Sequence, residues 1–210
     1  MDLKSKRDVF LKMNNAIITC NKCRLCKGRK NAVVGEGNIN AKIVFVGEAP
    51  GAEEDKQGRP FVGRSGMFLN DLMRKCGFKR TDVWIGNIIK CRPPENRDPM
   101  VDEVRACRPY LDRQLDLINP KMVVTLGRFA LEYFLPKEKI SEVHGRPLRA
   151  KSRIIFPLYH PAAALRNEAI RKIMNNDFKA ISDVLKKDIK NIPFPKSMEA
   201  DASSDQLSLF

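Results

Sequence analysis

Glu48, Asn87 and His160 are the residues best placed to do chemistry. Each directly follows an apolar run that ends abruptly: Ile43-Val44-Phe45-Val46-Gly47 before Glu48, Val83-Trp84-Ile85-Gly86 before Asn87, and Ile154-Ile155-Phe156-Pro157-Leu158-Tyr159 before His160. Runs of this length, rich in β-branched residues and closed by Gly or Pro, read as buried strands. In an open α/β sheet, ligands bind in the crevice outside the carboxyl ends of the strands. A single Asn or His at a strand end is usually a cap or a satisfied turn residue. An acid, an amide and an imidazole at three equivalent ends point instead to a catalytic and binding crevice.

The cysteines supply a second chemistry. Of the six, Cys20-Asn21-Lys22-Cys23 forms a metal-type knuckle with Cys26 close behind, and Cys76, Cys91 and Cys107 follow. Fifteen residues separate Cys91 from Cys107, so the paired two-residue gaps of a zinc ribbon are missing. An iron–sulfur cluster also needs four thiolates but tolerates irregular spacing. Val104, Cys107, Leu111, Leu115 and Ile118 fall on one helical stripe, which turns the Cys107 thiol inward. Pro109 should disturb the first turns of that helix. Cys76 lies on an apolar stripe with Phe68, Leu69, Leu72 and Met73 and reads as core. The expected ligands are Cys20, Cys23, Cys91 and Cys107, with Cys26 either a neighbouring thiol or an alternative ligand.

The elements that must position these residues alternate strand and helix. With Met122-Val123-Val124-Thr125-Leu126, which stops at Gly127, there are four apolar runs separated by helical patterns. That order predicts an α/β fold with a mostly parallel four-stranded sheet. A helix is expected over residues 3–19, an α/β body over about 41–187, and one last helix over about 162–187. The segment Glu53 to Gly63 is a long polar loop in which Phe61 either shapes the pocket or plugs the core. Asp98 reads as the N-cap of the Cys107 helix with Pro99 in its first turn. Residues 1–190 form one domain, and residues 191–210, poor in apolar residues, form a flexible tail.

The whole chain has 210 residues, 43% of them hydrophobic, and a formal net charge of +14. This length and apolar content suit one substantial domain. A cationic excess of this size favours a polyanionic partner, most simply nucleic acid. No stretch approaches the roughly 20 apolar residues of a membrane span. The charged start, Met1-Asp2-Leu3-Lys4, lacks the apolar region of a secretory signal, so a cytoplasmic protein is expected.

Four blocks now stand in order: Gly47-Glu48-Ala49-Pro50-Gly51; Gly58-Arg59-Pro60-Phe61-Val62-Gly63; Asn87 with Lys90-Cys91-Arg92-Pro93-Pro94; and His160-Pro161-Ala162-Ala163-Ala164-Leu165-Arg166-Asn167. Together with the cysteines they resemble the family 4 uracil-DNA glycosylases, the iron–sulfur enzymes of archaea and bacteria. The resemblance implies a three-layer α/β/α sandwich, a [4Fe–4S] cluster, and a monomeric DNA-repair enzyme acting at the nucleoid. Its substrate would be uracil in single- or double-stranded DNA. It also implies roles. Glu48 would sit near the sugar and the attacking water, with Gly47 and Ala49 beside the base. Phe61 would stack on the flipped uracil, Asn87 would read its pairing edge, and His160 would contact O2. Glu54 would crowd the C5 position and exclude thymine. Leu165 is the candidate wedge and Arg166 a phosphate contact, although the alanines before Leu165 could simply begin the helix. Gln206-Leu207-Ser208-Leu209-Phe210 resembles a sliding-clamp-binding peptide, with Gln206, Leu209 and Phe210 as its anchors; docking on its own domain is the other reading. A different function class, a non-catalytic iron–sulfur nucleic-acid-binding module, would leave Glu48, Asn87 and His160 idle. A zinc-stabilised hydrolase of a small metabolite is a third reading.

Overall fold

The computed structural model describes residues 2–150 and 152–195. Six strands form one sheet: β1 (Glu36–Gly37), β2 (Ile43–Gly47), β3 (Trp84–Asn87), β4 (Met122–Leu126), β5 (Leu148–Ala150) and β6 (Arg153–Leu158), in the order β1-β3-β2-β4-β6-β5. The four central strands, β3, β2, β4 and β6, are parallel. Every residue of β2, β3 and β4 is buried, because helices cover both faces of the sheet. Doubly covered strands read as unbroken apolar runs, which is why these were visible in the sequence.

The helices are α1 (Leu3–Ile18), α2 (Ala52–Gln57), α3 (Arg64–Lys75), α4 (Val101–Ile118), α5 (Arg128–Phe134), α6 (Ile140–Val143), α7 (Pro161–Ala164), α8 (Glu168–Lys179) and α9 (Ile181–Lys186). One face of the sheet packs against α1, α4 and α5 through Phe10, Ile17, Leu111, Leu115 and Leu131. The other packs against α3, α8 and α9 through Leu69, Leu72, Phe178 and Ile181. Phe45 of β2 stacks on Phe178 of α8 with ring centroids 5.7 Å apart. The result is the expected three-layer sandwich. β2 leads to α3 on one face, whereas its neighbours β3 and β4 lead to α4 and α5 on the other. The chain therefore splays apart at the carboxyl end of β2, and a crevice opens there.

Several expectations need correction; among them, the first half of the expected Glu53–Gly63 loop is helical, as α2. The sheet has six strands rather than four, because β1 and β5 add antiparallel edges. Both are two or three residues long and carry too few apolar residues to show a period. The single last helix is three helices, α7, α8 and α9. Asn167 ends the first by capping the second, its Oδ1 accepting the Ala169 N–H at 2.9 Å and the Ile170 N–H at 3.3 Å. Asp98 does not cap α4, which begins at Val101; the Met100 N–H is instead taken by Glu103 Oε2 at 2.8 Å. Finally, the body extends past residue 190. Ile192 is buried among Ile181 and Val184, and the Pro193 carbonyl accepts the Arg149 N–H at 2.8 Å. Pro109 lies inside α4 without interrupting it.

Candidate active site

Glu48 follows β2, Asn87 is the last residue of β3, and His160 lies two residues beyond β6. Because these strands are parallel, all three emerge on one edge of the sheet. They meet in a cleft of about 540 Å³ whose walls also include Ala49, Glu54, Phe61 and Arg166. The cleft therefore gathers most of the residues expected to contact uracil and DNA. Gly47 packs against two of these side chains without lining the cleft itself: a Cβ there would lie 2.6 Å from both Asn87 Oδ1 and Phe61 Cζ. Leu165 stands at the turn after α7 and is 37% exposed, the one large apolar side chain of that turn facing solvent. Gln206, Leu209 and Phe210 lie outside the described residues.

Asn87 is 1% exposed, and its Oδ1 has no hydrogen-bond partner among the described residues. A buried carbonyl oxygen left unpaired is costly, and such groups concentrate where a ligand completes them. His160 is held differently. Its Nδ1 accepts the Ala162 N–H at 3.1 Å, which leaves Nε2 to carry the proton. Desolvation pushes its pKa down to about 4, so the ring is neutral at ordinary pH. Gly127, at φ +90, makes room for it; a Cβ there would sit 3.0 Å from His160 Cβ.

Glu48 moves in the opposite direction. Burial, with the Asp98 carboxylate adding to it and the Arg128 guanidinium opposing it, raises its pKa to about 7. Asp98 and Arg128 themselves form an exposed ion pair at 2.5 Å. An acid with a pKa near neutrality beside a neutral imidazole is an arrangement typical of catalytic sites.

Phe61 is carried in the left-handed region at φ 50 and is nonetheless buried. Two side chains hold that conformation. Glu54 Oε1 accepts the Val62 and Gly63 N–H groups at 3.0 and 2.9 Å, and its Oε2 accepts that of Gly51 at 3.1 Å. On the other side the Arg80 guanidinium donates to the Pro60 and Phe61 carbonyls. Glu54 thus borders the cleft while pinning its aromatic loop. The Phe61 ring lies 6.1 Å from the imidazole of His160, tilted by 35°.

Beyond the cleft wall formed by Pro93, Asn96 and Arg97, the same loop leads back to a second pocket. Cys20, Cys23, Cys26, Cys91 and Cys107 all line it, with Arg29, Lys90 and Tyr110. Cys76 lies elsewhere, at the end of α3. Arg29 Nη1 reaches Cys91 Sγ at 3.1 Å. Among the described residues no three His, Cys, Asp or Glu side chains converge closely enough to hold a single metal ion.

Sequence reasoning missed Arg80, Asp98 as a neighbour of Glu48, Lys90 and Arg128. Arg128 had a usable signal, since it follows the end of a fourth strand, β4. Arg80 and Asp98 act on residues distant in the chain, and nothing local marks them; Lys90 acts on the nearby Asn87, but only its burial in the fold turns it that way.

A fold of this topology with an acid, an amide and an imidazole at its strand ends matches a known class. The family model described as the uracil DNA glycosylase superfamily covers residues 34–186, and the chain belongs to that superfamily. The type-4 uracil-DNA glycosylase of Sulfurisphaera tokodaii is 49% identical over 187 residues, spanning 84% of this chain and 85% of that protein. Those of Saccharolobus solfataricus, 48% identical over 79% of this chain and 82% of its own length, and Thermotoga maritima, 45% over 80% and 91%, are also similar. Within the superfamily the chain is a type-4 member. No helix among the described residues is long and apolar enough to cross a membrane.

Proposed function

We propose that this protein excises uracil from DNA by hydrolysing its N-glycosidic bond, leaving an abasic site. The observation that carries this reading is the unpartnered Asn87 Oδ1, buried at the floor of the cleft between Gly47, Phe61 and the neutral His160. Uracil offers N3–H and O4, so the amide accepts from the first and donates to the second. Cytosine presents the reverse pattern and would leave buried groups unpaired. Phe61 supplies a face for stacking, worth ~1–3 kcal/mol per base, which helps offset the cost of flipping the nucleotide.

Bond cleavage leaves negative charge on uracil and cationic character on the sugar. His160 Nε2–H donates to uracil O2 as that charge develops. A preorganised donor of this kind is worth about 3–4 kcal/mol. Glu48, once ionised, stabilises the cationic sugar and orients the water that attacks C1′. Ala49 lines the base site, Glu54 faces C5 and bars the thymine methyl, Leu165 fills the stack, and Arg166 holds a backbone phosphate.

An iron–sulfur cluster fits the second pocket. Its donors are all soft thiols, and two of the three cations bordering it, Arg29 and Lys90, hydrogen-bond only to neutral oxygens and a thiol. Cations placed so are compensated by an anionic thiolate-bound centre. Cys20, Cys23, Cys91 and Cys107 would hold a [4Fe–4S] cluster, with Cys26 beside them; when bound it would staple the N-terminal segment to α4.

The functional unit is one domain acting as a monomer in the cytoplasm, at the nucleoid. Gln206, Leu209 and Phe210 form a hook for a sliding clamp, so removing residues 206–210 abolishes clamp binding and leaves excision from short oligonucleotides intact.

The deciding experiment incubates the protein, in EDTA, with oligonucleotides carrying one uracil, thymine or cytosine at the same position. Abasic sites at uracil alone are expected, and Asn87→Ala should lose most of that activity with its melting temperature unchanged. DNA binding without cleavage by iron-loaded protein would overturn the reading in favour of a binding module.

A further inference from the structure

A buried ammonium joins the two pockets. The Lys90 side chain is 1% exposed, and its Nζ donates to the main-chain carbonyl of Asn87 at 2.9 Å and to Gln114 Oε1 at 2.8 Å. Gln114 is itself fully buried in α4, and its Nε2 donates to the Val34 carbonyl at 2.7 Å. Both acceptors of the ammonium are neutral. Nζ also lies 5.6 Å from the centroid of the Trp84 ring. The main chain of the same residue belongs to the cysteine pocket: its N–H faces the Cys107 thiol, and Cys91 is the next residue.

The turn that Lys90 closes is the one that presents the base-reading amide. The Ile88 N–H donates to the Gly47 carbonyl at 2.9 Å, and the Ile89 N–H to the Glu48 carbonyl at 3.2 Å. Residues 87–90 therefore tie the ends of β2 and β3 together, and the ammonium locks their last peptide group in place. An apolar side chain would fill the same space without the cost of burying a cation. What a methylene chain could not do is hold the Asn87 carbonyl from the far side.

We propose that Lys90 is a positioning residue through which the cysteine pocket fixes Asn87 for reading uracil. It touches neither substrate nor reacting atoms. Hydrogen-bond recognition falls off steeply with distance and angle, so a small drift of the strand end weakens the fit to uracil N3–H and O4. This inference rests on the glycosylase reading above.

The test is a double-mutant cycle of Lys90→Met and Asn87→Ala in iron-loaded protein, with iron content measured for each variant. Readouts are kcat/KM on a uracil oligonucleotide, inhibition by free uracil, and melting temperature. Lys90→Met alone should lower kcat/KM by about tenfold to a hundredfold, a size typical of misplaced groups, and weaken free-uracil inhibition in parallel. In the Asn87→Ala background the same change should cost almost nothing in kcat/KM, because the group it positions is already gone. The drop in melting temperature should be equal in both backgrounds. Losses that multiply, or a Lys90→Met protein with wild-type rates, would overturn the proposal. If Lys90→Met fails to retain iron, Gln114→Leu removes the acceptor that anchors the ammonium from α4, and the same cycle with the same two outcomes decides. An inactive wild-type protein would instead overturn the glycosylase reading, and this inference with it.

Discussion

At the scale of single residues, the site depends on two ionisable groups displaced in opposite directions. Glu48 titrates near 7 and His160 near 4. If the ionised carboxylate is the active form, kcat/KM rises with pH through about 7 and then levels, because a raised acid pKa leaves the group protonated below it. The imidazole is already neutral across that range and adds no limb. Asp98→Asn removes the charge that opposes ionisation of Glu48 and should move the limb to lower pH. Arg128→Gln removes the charge that favours it and should move the limb to higher pH. Single-turnover pH profiles of the two variants read both shifts; limbs that stay fixed would take Glu48 out of the titration. Gly47 permits a sharper steric test. Gly47→Ala places a methyl 2.6 Å from Asn87 Oδ1 and Phe61 Cζ. Uracil excision should fall by at least about a hundredfold, since displacing Asn87 and Phe61 misplaces the reacting base. Far-UV circular dichroism should stay native.

Among the elements, the break between α7 and α8 matters most. An uninterrupted helix over 162–187 would wind Leu165 and Arg166 into its own surface. Asn167 instead caps α8 and leaves the two residues on a turn, Arg166 against the cleft and Leu165 facing solvent. A wedge is needed only where a base must leave a stack. Leu165→Ala should therefore slow excision from duplex DNA about tenfold while leaving single-stranded substrate unaffected. Equal rates on duplex would remove Leu165 from that role. The capping signal was present in the sequence, because Asn followed by Glu168 is a good helix start. It was masked by the apolar stripe that continues on both sides of it. The misplaced start of α4 has a related cause: Asp98 has the right residue type for a cap, but Glu103 reaches the Met100 N–H first and leaves Asp98 to pair with Arg128.

For the molecule as a whole, the net charge of +14 makes salt the natural variable. Binding to single-stranded DNA should weaken linearly on a log–log plot against salt. Each phosphate neutralised contributes a slope of about −0.7. Arg166→Ala should flatten that slope by about 0.7 and weaken binding alike for uracil and thymine oligonucleotides. An unchanged slope would mean that Arg166 holds no phosphate.

The order of strands and helices, the three polar strand ends and the Cys20–Cys23 knuckle were legible in the sequence alone, because each is written in neighbouring residues. Buried parallel strands are continuous apolar runs, and a strand end is marked by the residue that stops it. The tertiary structure decided what depends on packing between distant segments. It put Cys26 in the same pocket as the four expected cysteines, brought Asp98 and Arg128 within electrostatic reach of Glu48, and held Phe61 with Glu54 and Arg80. It also ran Lys90 from the cysteine pocket to the back of Asn87. Coulombic and hydrogen-bond interactions act across space within a few ångströms, whatever the separation along the chain. No local pattern of residue types records which distant groups the fold will bring together.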